Sequence, residues 1–262
     1  MRLLATTLLM LRLPLLLAVL ILGVILATAI MLRAPAVPVA SWWCRRVLQV
    51  FGIRWQCLGQ PPQGACVMVA NHVSWLDIFL LAAQGHVRFV AKSDIQSWPV
   101  INWLARSVGT LYIRRGRGGA APLLEQVMPL VQAGQSFVFF PEGTTTEGLA
   151  LKPFHARLFV AATDSGLNLA PVAISFGPAW GGQNLAPFVG DDTLVAHLLR
   201  MLANPGLTAR VIYTPPLPSA GHTPQSLARA AQDAVAKALD QQGFGRKPLN
   251  PAASGVPNTA SA

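Results

Sequence analysis

The chain has 262 residues, of which 53% are hydrophobic and 11% charged, and its formal net charge at pH 7 is +10. This length accommodates one sizeable domain with an appendage. The positive charge suits an anionic membrane surface, an anionic substrate or nucleic acid, and the high apolar fraction favours the membrane over nucleic acid. The three cysteines, Cys44, Cys57 and Cys66, have neither CxxC nor metal-ligand spacing, which argues against a disulfide framework and a metal site.

The first element is an apolar run over residues 13–32, "LPLLLAVLILGVILATAIML", which contains no charged residue. About 20 apolar residues can cross the hydrocarbon core of a bilayer, so the run predicts a membrane helix. Two alternatives stay open: a signal peptide cleaved near "ATA" at 27–29, and a shallow hairpin. The arginines that follow the run favour the inner membrane, with the C-terminal domain on the cytoplasmic side.

The next segment, "SWWCRRVLQVFGI" at 41–53, mixes tryptophans and aliphatic residues with Arg45 and Arg46. This mixture predicts an amphipathic helix, which would lie in the headgroup layer or else pack on the main domain. We therefore expect residues 1–60 to form a membrane anchor and an interfacial amphipathic segment.

The turn-rich stretch "LGQPPQGA" at 58–65 predicts a boundary, with a domain over 61–245 and a disordered tail over 246–262. Short apolar runs alternate with longer helical patterns in this domain. This alternation predicts an α/β fold with a mostly parallel or mixed sheet flanked by helices. The predicted strands are 65–70, 87–91, 109–113, 136–140, 170–176 and 209–213; the predicted helices are 75–83, 98–107, 120–133, 153–164, 193–203 and 223–242.

Polar clusters follow three of these strands. "NHVSWLD", Asn71 to Asp77, comes after strand 65–70, and "PEG" comes after strand 136–140. Arg114, Arg115 and Arg117 follow strand 109–113. Open α/β sheets bind ligands beyond the carboxyl ends of their strands, so the clusters predict one site.

His72 and Asp77 are the candidate catalytic pair. Their spacing would put them about 140° apart on a regular helix, so they meet only if His72 lies in the loop and Asp77 in the first helical turn. Ser74 is the predicted N-cap, and the alternative is that Asp77 only caps the helix. A carboxylate on one imidazole nitrogen leaves the other free to accept a proton. Because no GxSxG nucleophile motif is present, the attacking hydroxyl would belong to the substrate.

The motifs "NHVSWLD", "GTLYIRR", "FPEGTTT" and "APVAI", in this order and spacing, resemble those of the membrane glycerolipid acyltransferases, the 1-acylglycerol-3-phosphate acyltransferases among them. The resemblance covers roughly residues 65–215 and implies a glycerol-phosphate-acyltransferase-like α/β domain that transfers an acyl group directly, without a covalent enzyme intermediate. It implies that His72 is the general base and Asp77 its orienting partner.

The same resemblance assigns the remaining site residues. It implies that Arg115 binds the acceptor phosphate and that the motif containing Glu142, Gly143 and Thr144 binds the acceptor. Lys92, at a strand end, is a further basic candidate for the substrate. Glu142 is an odd neighbour for an anionic lipid unless it bonds to a hydroxyl or an arginine. Three residues are expected to be structural: Asn71, Pro141 and Pro171.

The predicted function is transfer of a fatty acyl group from acyl-CoA or acyl carrier protein to a lysophospholipid, without cofactor or metal. The first acceptor is 1-acyl-sn-glycerol-3-phosphate, giving phosphatidic acid. Thr145 and Thr146 stand where many phosphatidate-forming members have Arg-Ser, and Arg114 replaces a frequent acidic residue. These departures keep a lyso-ornithine lipid or another lysolipid open as acceptor. Two further alternatives are a lipid hydrolase that uses the same pair and a non-catalytic membrane-binding protein.

Overall fold

The computed structural model describes residues 2–86, 88–113, 121–177 and 183–241. The predicted tail over 246–262 therefore lies outside the described residues. The helices are α1 (Arg2–Met31), α2 (Ala36–Val50), α3 (Leu76–Ala83), α4 (Pro99–Ser107), α5 (Ala121–Gln132), α6 (Val160–Ser165), α7 (Leu194–Leu202) and α8 (Pro224–Asp240). The strands are β1 (Ile53–Leu58), β2 (Val67–Ala70), β3 (Val90–Lys92), β4 (Leu111–Ile113), β5 (Phe137–Phe139), β6 (Leu169–Phe176) and β7 (Leu207–Tyr213).

The main sheet has the strand order β1-β7-β6-β2-β5. Its pairings are parallel except for β6 with β7, which is antiparallel. β3 and β4 form a second, parallel pair, and an isolated bridge between Phe89 and Val138 links this pair to β5. The predicted mostly parallel or mixed sheet is confirmed.

The sheet is covered on both faces, as the apolar strands predicted. Every residue of β2 and β6 is buried. Val67 and Val69 face a core built with α8, whereas Met68 and Ala70 face a core built with α2 and α3. Strands that are buried on both faces appear in a sequence as continuous apolar runs, which is why these strands could be predicted.

β1 is an element that was not among the predicted strands. Ile53 to Leu58 pair in parallel with Leu207 to Ile212 of β7, at the edge of the sheet. Arg54 and Gln56 alternate with Ile53, Trp55 and Cys57, which is the pattern of a half-buried strand, so this signal was present in the sequence and was overlooked beside the amphipathic pattern of 41–53. The sheet therefore begins at Ile53, ahead of the predicted domain boundary at residue 61.

α2 is amphipathic, as predicted, and its apolar face packs on the main domain. Trp43, Val47 and Leu48 are buried in the core with residues of α3. On the outer face, Arg46 lies over the ring of the exposed Trp42, 5.1 Å from its centroid. Of the two arrangements predicted for this helix, packing on the main domain is the one that the inner face of α2 adopts.

α1 is long and apolar enough to cross a membrane, yet one stripe of it lies against the domain. Trp43 Nε1 donates to the Val19 carbonyl at 2.7 Å. A Cβ on Gly23 would lie 2.6 Å from the Trp43 ring, so only glycine allows this approach of α1 to α2. Arg12, on the same stripe, donates to the carbonyls of Leu202 and Asn204 at the end of α7.

Candidate active site

His72 and Asp77 meet beyond the carboxyl end of β2. His72 lies in the loop after the strand, Asp77 lies in the first turn of α3, and Nδ1 of the imidazole is 2.8 Å from Oδ2 of the carboxylate. The Asp77 side chain is fully buried, whereas the His72 side chain is 18% exposed. Because an ionised carboxylate only accepts hydrogen bonds, Nδ1 carries the proton and Nε2 keeps its lone pair for a ligand.

Asp77 also holds the backbone of the loop. Its Oδ2 accepts from the N–H groups of Val73 at 2.7 Å and Ser74 at 2.9 Å. One oxygen thus both orients His72 and holds the loop before α3, so a structural role of Asp77 does not exclude a role with His72. The prediction that Ser74 is the N-cap is wrong. α3 begins at Leu76, and the Ser74 hydroxyl is buried without a hydrogen-bond partner among the described residues.

Phe140 fixes the plane of the His72 ring. The two rings stack with centroids 4.0 Å apart and an interplanar angle of 15°. Phe89, next to β3, stacks in turn on Phe140 at 6.3 Å. With one edge bonded to Asp77 and one face covered by Phe140, the imidazole is held in a single orientation.

Glu142 is a buried clamp between two loops. Its Oε1 accepts from the His72 N–H and its Oε2 from the Lys152 N–H, both at 2.8 Å, and the residue is 3% exposed. Burial raises the pKa of Glu142, and the hydrogen bonds from the Lys152 and His72 amides partly oppose that rise. The partners of this carboxylate are backbone amides, which removes the apparent conflict between an acidic residue and an anionic lipid.

The loop after Glu142 crosses next to His72. Thr146 donates to the His72 carbonyl from its N–H at 2.9 Å and its hydroxyl at 3.2 Å. Lys92, at the end of β3, donates from Nζ to the Gly143 carbonyl. Gly143 has φ +68°, a backbone conformation that favours glycine, and a Cβ there would crowd the His155 ring at 3.2 Å.

The three residues expected to be structural do have structural contacts. Asn71, 1% exposed, donates to the Ile174 carbonyl at 2.9 Å and accepts from the Ile174 N–H at 2.7 Å, which extends the β2–β6 pairing by a side chain. The Pro141 carbonyl accepts from the His155 N–H at 2.9 Å. Pro171 lies within β6, opposite Val69 of β2.

A cleft of about 590 Å³ adjoins the His72 loop. Its walls are the loop after Gly143 and residues 188–190, with lining residues Thr144, Thr145, Thr146, Glu147, Leu149, Ala150, Leu151, Lys152, Phe188, Val189 and Gly190. Phe188 joins the two walls, since its N–H donates to the Val73 carbonyl at 3.0 Å and its carbonyl accepts from the Thr145 hydroxyl. Thr144, which was predicted to bind the acceptor, lines this cleft.

The structure brings together His72, Asp77, Glu142, Gly143 and Lys92 at one edge of the sheet. Arg115 lies outside the described residues, and its assignment to the acceptor stays a prediction. Across the described ranges, no group of three or more His, Cys, Asp or Glu side chains could hold a metal ion.

Sequence reasoning missed Phe140, Thr146 and Phe188 as parts of the site. Phe140 reads as the end of an apolar strand, and Phe188 lies in a segment that was assigned no element. Thr146 was noted only as a departure from a motif. Since each acts through contact with the distant His72 loop, its own neighbourhood in the sequence carries no signal.

Comparison with known proteins decides the family. A family model described as acyltransferase matches residues 56–175. The chain is 39% identical over 198 residues to a lyso-ornithine lipid O-acyltransferase of Pseudomonas aeruginosa, an alignment that covers 76% of this chain and 77% of that relative. This chain belongs to the acyltransferase family. The resemblance seen in the four motifs is therefore confirmed at the level of the family.

Two further similarities extend this assignment. The acyltransferase chain is 40% identical over 151 residues to a 1-acyl-sn-glycerol-3-phosphate acyltransferase of Neisseria meningitidis, with 57% of this chain and 59% of that one aligned. The crystal structure of the 1-acyl-sn-glycerophosphate acyltransferase of Thermotoga maritima superposes with a TM-score of 0.69 at 19% identity, covering 92% of this chain and 96% of that one. This structural similarity confirms the expected fold.

Proposed function

We propose that this acyltransferase moves a fatty acyl group from a thioester, acyl-CoA or acyl carrier protein, to the hydroxyl of a lysolipid, with His72 as general base. The supporting observation is the bonded pair of His72 and Asp77, which leaves Nε2 as the proton acceptor. As Nε2 takes the hydroxyl proton, the oxygen attacks the thioester carbonyl. Collapse of the adduct breaks the carbon–sulfur bond, and the leaving thiolate recovers the proton from the imidazolium.

Asp77 supports both halves of this reaction. Its negative charge stabilises the imidazolium that forms when Nε2 is protonated, and its hydrogen bond fixes the tautomer. The clamp formed by Glu142 holds the His72 backbone while the ring changes charge. Direct attack by the acceptor needs no serine or cysteine nucleophile in the protein.

For the acceptor we favour a lyso-ornithine lipid over lysophosphatidic acid. The relatives from Pseudomonas aeruginosa and Rhodobacter capsulatus that carry this name align over 76% of the chain. Glu147 and Lys152 put opposite charges on the lining of one cleft, and no ion pair joins them in the described part of the chain. An ornithine headgroup carries one ammonium and one carboxylate, so this lining complements both, whereas a phosphate monoester offers only negative charge.

Lysophosphatidic acid is the second candidate acceptor. The 40% identity to the Neisseria meningitidis relative supports it, as does the predicted phosphate role of Arg115. A planar guanidinium binds phosphate oxygens in a bidentate manner, which an ornithine carboxylate also permits. Arg115 is therefore compatible with either acceptor, whereas the Glu147 carboxylate favours the acceptor that carries an ammonium group.

The acceptor is tested with purified enzyme, two donors (acyl-CoA and acyl carrier protein) and two acceptors. We expect higher kcat/KM with lyso-ornithine lipid, and we expect Glu147→Gln to lower that value about tenfold while sparing lysophosphatidic acid. Glu125→Gln, an exposed glutamate on α5 outside the cleft, is the matched control. Preference for lysophosphatidic acid, unchanged by Glu147→Gln, would assign the phosphate acceptor instead. Release of fatty acid from a diacyl lipid without any donor would indicate a hydrolase.

We also propose that α1 lies in one leaflet beside the domain rather than crossing the bilayer alone. Its partly buried stripe runs from Leu9 to Ile30, about 32 Å of helix, which is close to the hydrocarbon thickness of about 30 Å. A spanning α1 would pull the packed domain into the hydrocarbon. The outer face of α1 is apolar and exposed. Trp98, just before α4, and Trp103, in α4, are exposed as well, and α4 packs beside α1. An inner-membrane, cytoplasmic-side location remains the prediction from the arginines.

A further inference from the structure

The segment 183–190 and α7 cover the His72 loop and are bonded to it twice. Phe188 N–H donates to the Val73 carbonyl at 3.0 Å. Nε1 of Trp75, the residue before α3, donates to Nδ1 of His197 in α7, also at 3.0 Å. Trp75 and His197 are separated by 122 positions in the chain. Trp75 lies between His72 and Asp77, so this bond holds the loop that carries the catalytic pair.

The state of the His197 ring follows from its partner. An indole nitrogen can only donate, so Nδ1 of His197 accepts and the proton of the neutral ring lies on Nε2. Burial lowers the pKa of His197 and nearby Arg200 lowers it further, while Asp192 and the backbone carbonyls of Leu185 and Pro187 oppose this change. Nε2 of His197 has no hydrogen-bond partner among the described residues. The neutral form that accepts from Trp75 is therefore the favoured one.

The rings that pack against His197 are aromatic. The residue is 0% exposed, and the rings of Trp75 and Phe188 pack against it at 6.0 and 5.4 Å. A leucine or phenylalanine would satisfy such packing, whereas a buried imidazole costs desolvation unless it is bonded. The one side-chain hydrogen bond of His197 within the described residues goes to the loop of the catalytic pair.

We propose that His197 is a positioning residue for acyl transfer, which sets the Trp75 indole and through it the His72–Asp77 geometry. The inference rests on the proposed base function of His72. Trp75 also packs edge-on against Phe51, which follows α2, and Phe79 of α3, so its ring has apolar neighbours there while its N–H is directed at α7. Misplacement of a catalytic base by a fraction of an ångström lowers turnover more than substrate binding.

The experiment compares four variants with wild type in the purified full chain. His197→Leu removes the acceptor, Trp75→Phe removes the donor but keeps an aromatic ring, and His197→Asn puts an amide oxygen near the position of Nδ1. The fourth variant combines His197→Leu with Trp75→Phe. Val235→Ala, a cavity in the core on the other face of the sheet, is the control for lost stability alone.

We expect His197→Leu and Trp75→Phe each to lower kcat about tenfold with little change in either KM, at temperatures where both remain folded. The combined variant should lose no more than either single change, because both remove the same bond. His197→Asn should recover most of the lost kcat, and Val235→Ala should lower Tm without lowering kcat. The Trp75 indole N–H resonance should shift in His197→Leu and stay near its wild-type position in His197→Asn.

Other outcomes would overturn the proposal. A His197→Leu enzyme with kcat within twofold of wild type would show that the Trp75–His197 hydrogen bond does not affect turnover. Equal losses in His197→Leu and His197→Asn would show the same. Additive losses in the combined variant would show that the two residues act separately. A wild type that transfers no acyl group, or a fully active His72→Ala variant, would instead remove the proposed function. In that case the indole resonance still reports whether the Trp75–His197 bond exists.

Discussion

The Glu142 carboxylate accepts the backbone N–H of His72 at 2.8 Å, across 70 positions of the chain. The residue expected to contact the acceptor thus holds the backbone of the His72 loop. Since Oε2 accepts the Lys152 N–H as well, the same carboxylate ties the loop after β2 to the wall of the cleft.

This relationship predicts the effect of Glu142→Gln. A glutamine can present its oxygen to only one of the two amides, and its NH₂ group then faces the other N–H. We expect a loss of about 1–3 kcal/mol in the free energy of unfolding, measured by denaturant titration, because one buried amide is left unpaired. kcat should fall more than the acceptor KM rises. A selective rise in acceptor KM with unchanged stability would support the predicted substrate-binding role of Glu142.

The proposed catalytic pair, His72 and Asp77, predicts different outcomes for its two members. His72→Ala should lower kcat about 10²–10⁴-fold and still give a cooperative thermal melt, because the loop amides keep their hydrogen bonds to Asp77 and Glu142. Asp77→Asn should also lower kcat, but with some loss of Tm, because the Asp77 carboxylate accepts from Val73 and Ser74 as well as from His72. Asp77→Asn with lower Tm and wild-type kcat would leave only the capping function.

Truncation from the N-terminus should show where the domain begins. A chain starting at Pro35 keeps β1 and α2 and should retain a cooperative unfolding transition in mild detergent. A chain starting at residue 61 lacks β1, the edge partner of β7, and the buried residues of α2, such as Val47 and Leu48. It should not fold, as judged by circular dichroism. Cooperative unfolding of the shorter chain would support the boundary predicted from the sequence.

The orientation of α1 can be tested by quenching of tryptophan fluorescence with brominated lipids. If α1 lies in one leaflet, the exposed Trp98 and Trp103 beside it should be quenched in vesicles, most strongly by lipids brominated near the headgroup. Trp98→Phe and Trp103→Phe should each reduce the quenching, whereas Trp55→Phe, in β1, should not. Unquenched Trp98 and Trp103, together with release of the chain from vesicles after cleavage behind α1, would indicate a spanning helix.

His86 predicts a pH dependence of stability. It is hydrogen-bonded to Tyr213 at 3.1 Å, and burial lowers its pKa from 6.5 to about 4. Between these values the unfolded ring binds a proton that the folded ring does not, so the free energy of unfolding should fall as pH drops from 6.5 to 4. The loss is at most about 3 kcal/mol. In urea titrations His86→Gln should flatten this part of the profile, and an unchanged slope would exclude His86 as its source.

Local pattern determined the elements that are buried on one or two faces. The apolar runs of β2, β5 and β6 and the helical repeat of α8 were readable because each element's own residues set its burial. The five-residue spacing of His72 and Asp77 was readable for the same reason, since both members lie within one loop and one turn. The acyltransferase family followed from the order of such local motifs.

Tertiary structure alone decided the partners of distant residues. The pairing of β1 with β7, the clamp from Glu142 to His72 and the bond from Trp75 to His197 each join positions at least 70 apart. A hydrogen bond between distant residues leaves no periodic pattern in the sequence near either residue. The sequence around β1 or around His197 therefore does not show which distant partner each has. Ser74 shows the converse: its sequence predicted a helix cap, but in the folded loop the Asp77 N–H donates to the Ser74 carbonyl and the Ser74 N–H donates to the Asp77 carboxylate, so the Ser74 hydroxyl has no hydrogen-bond partner among the described residues.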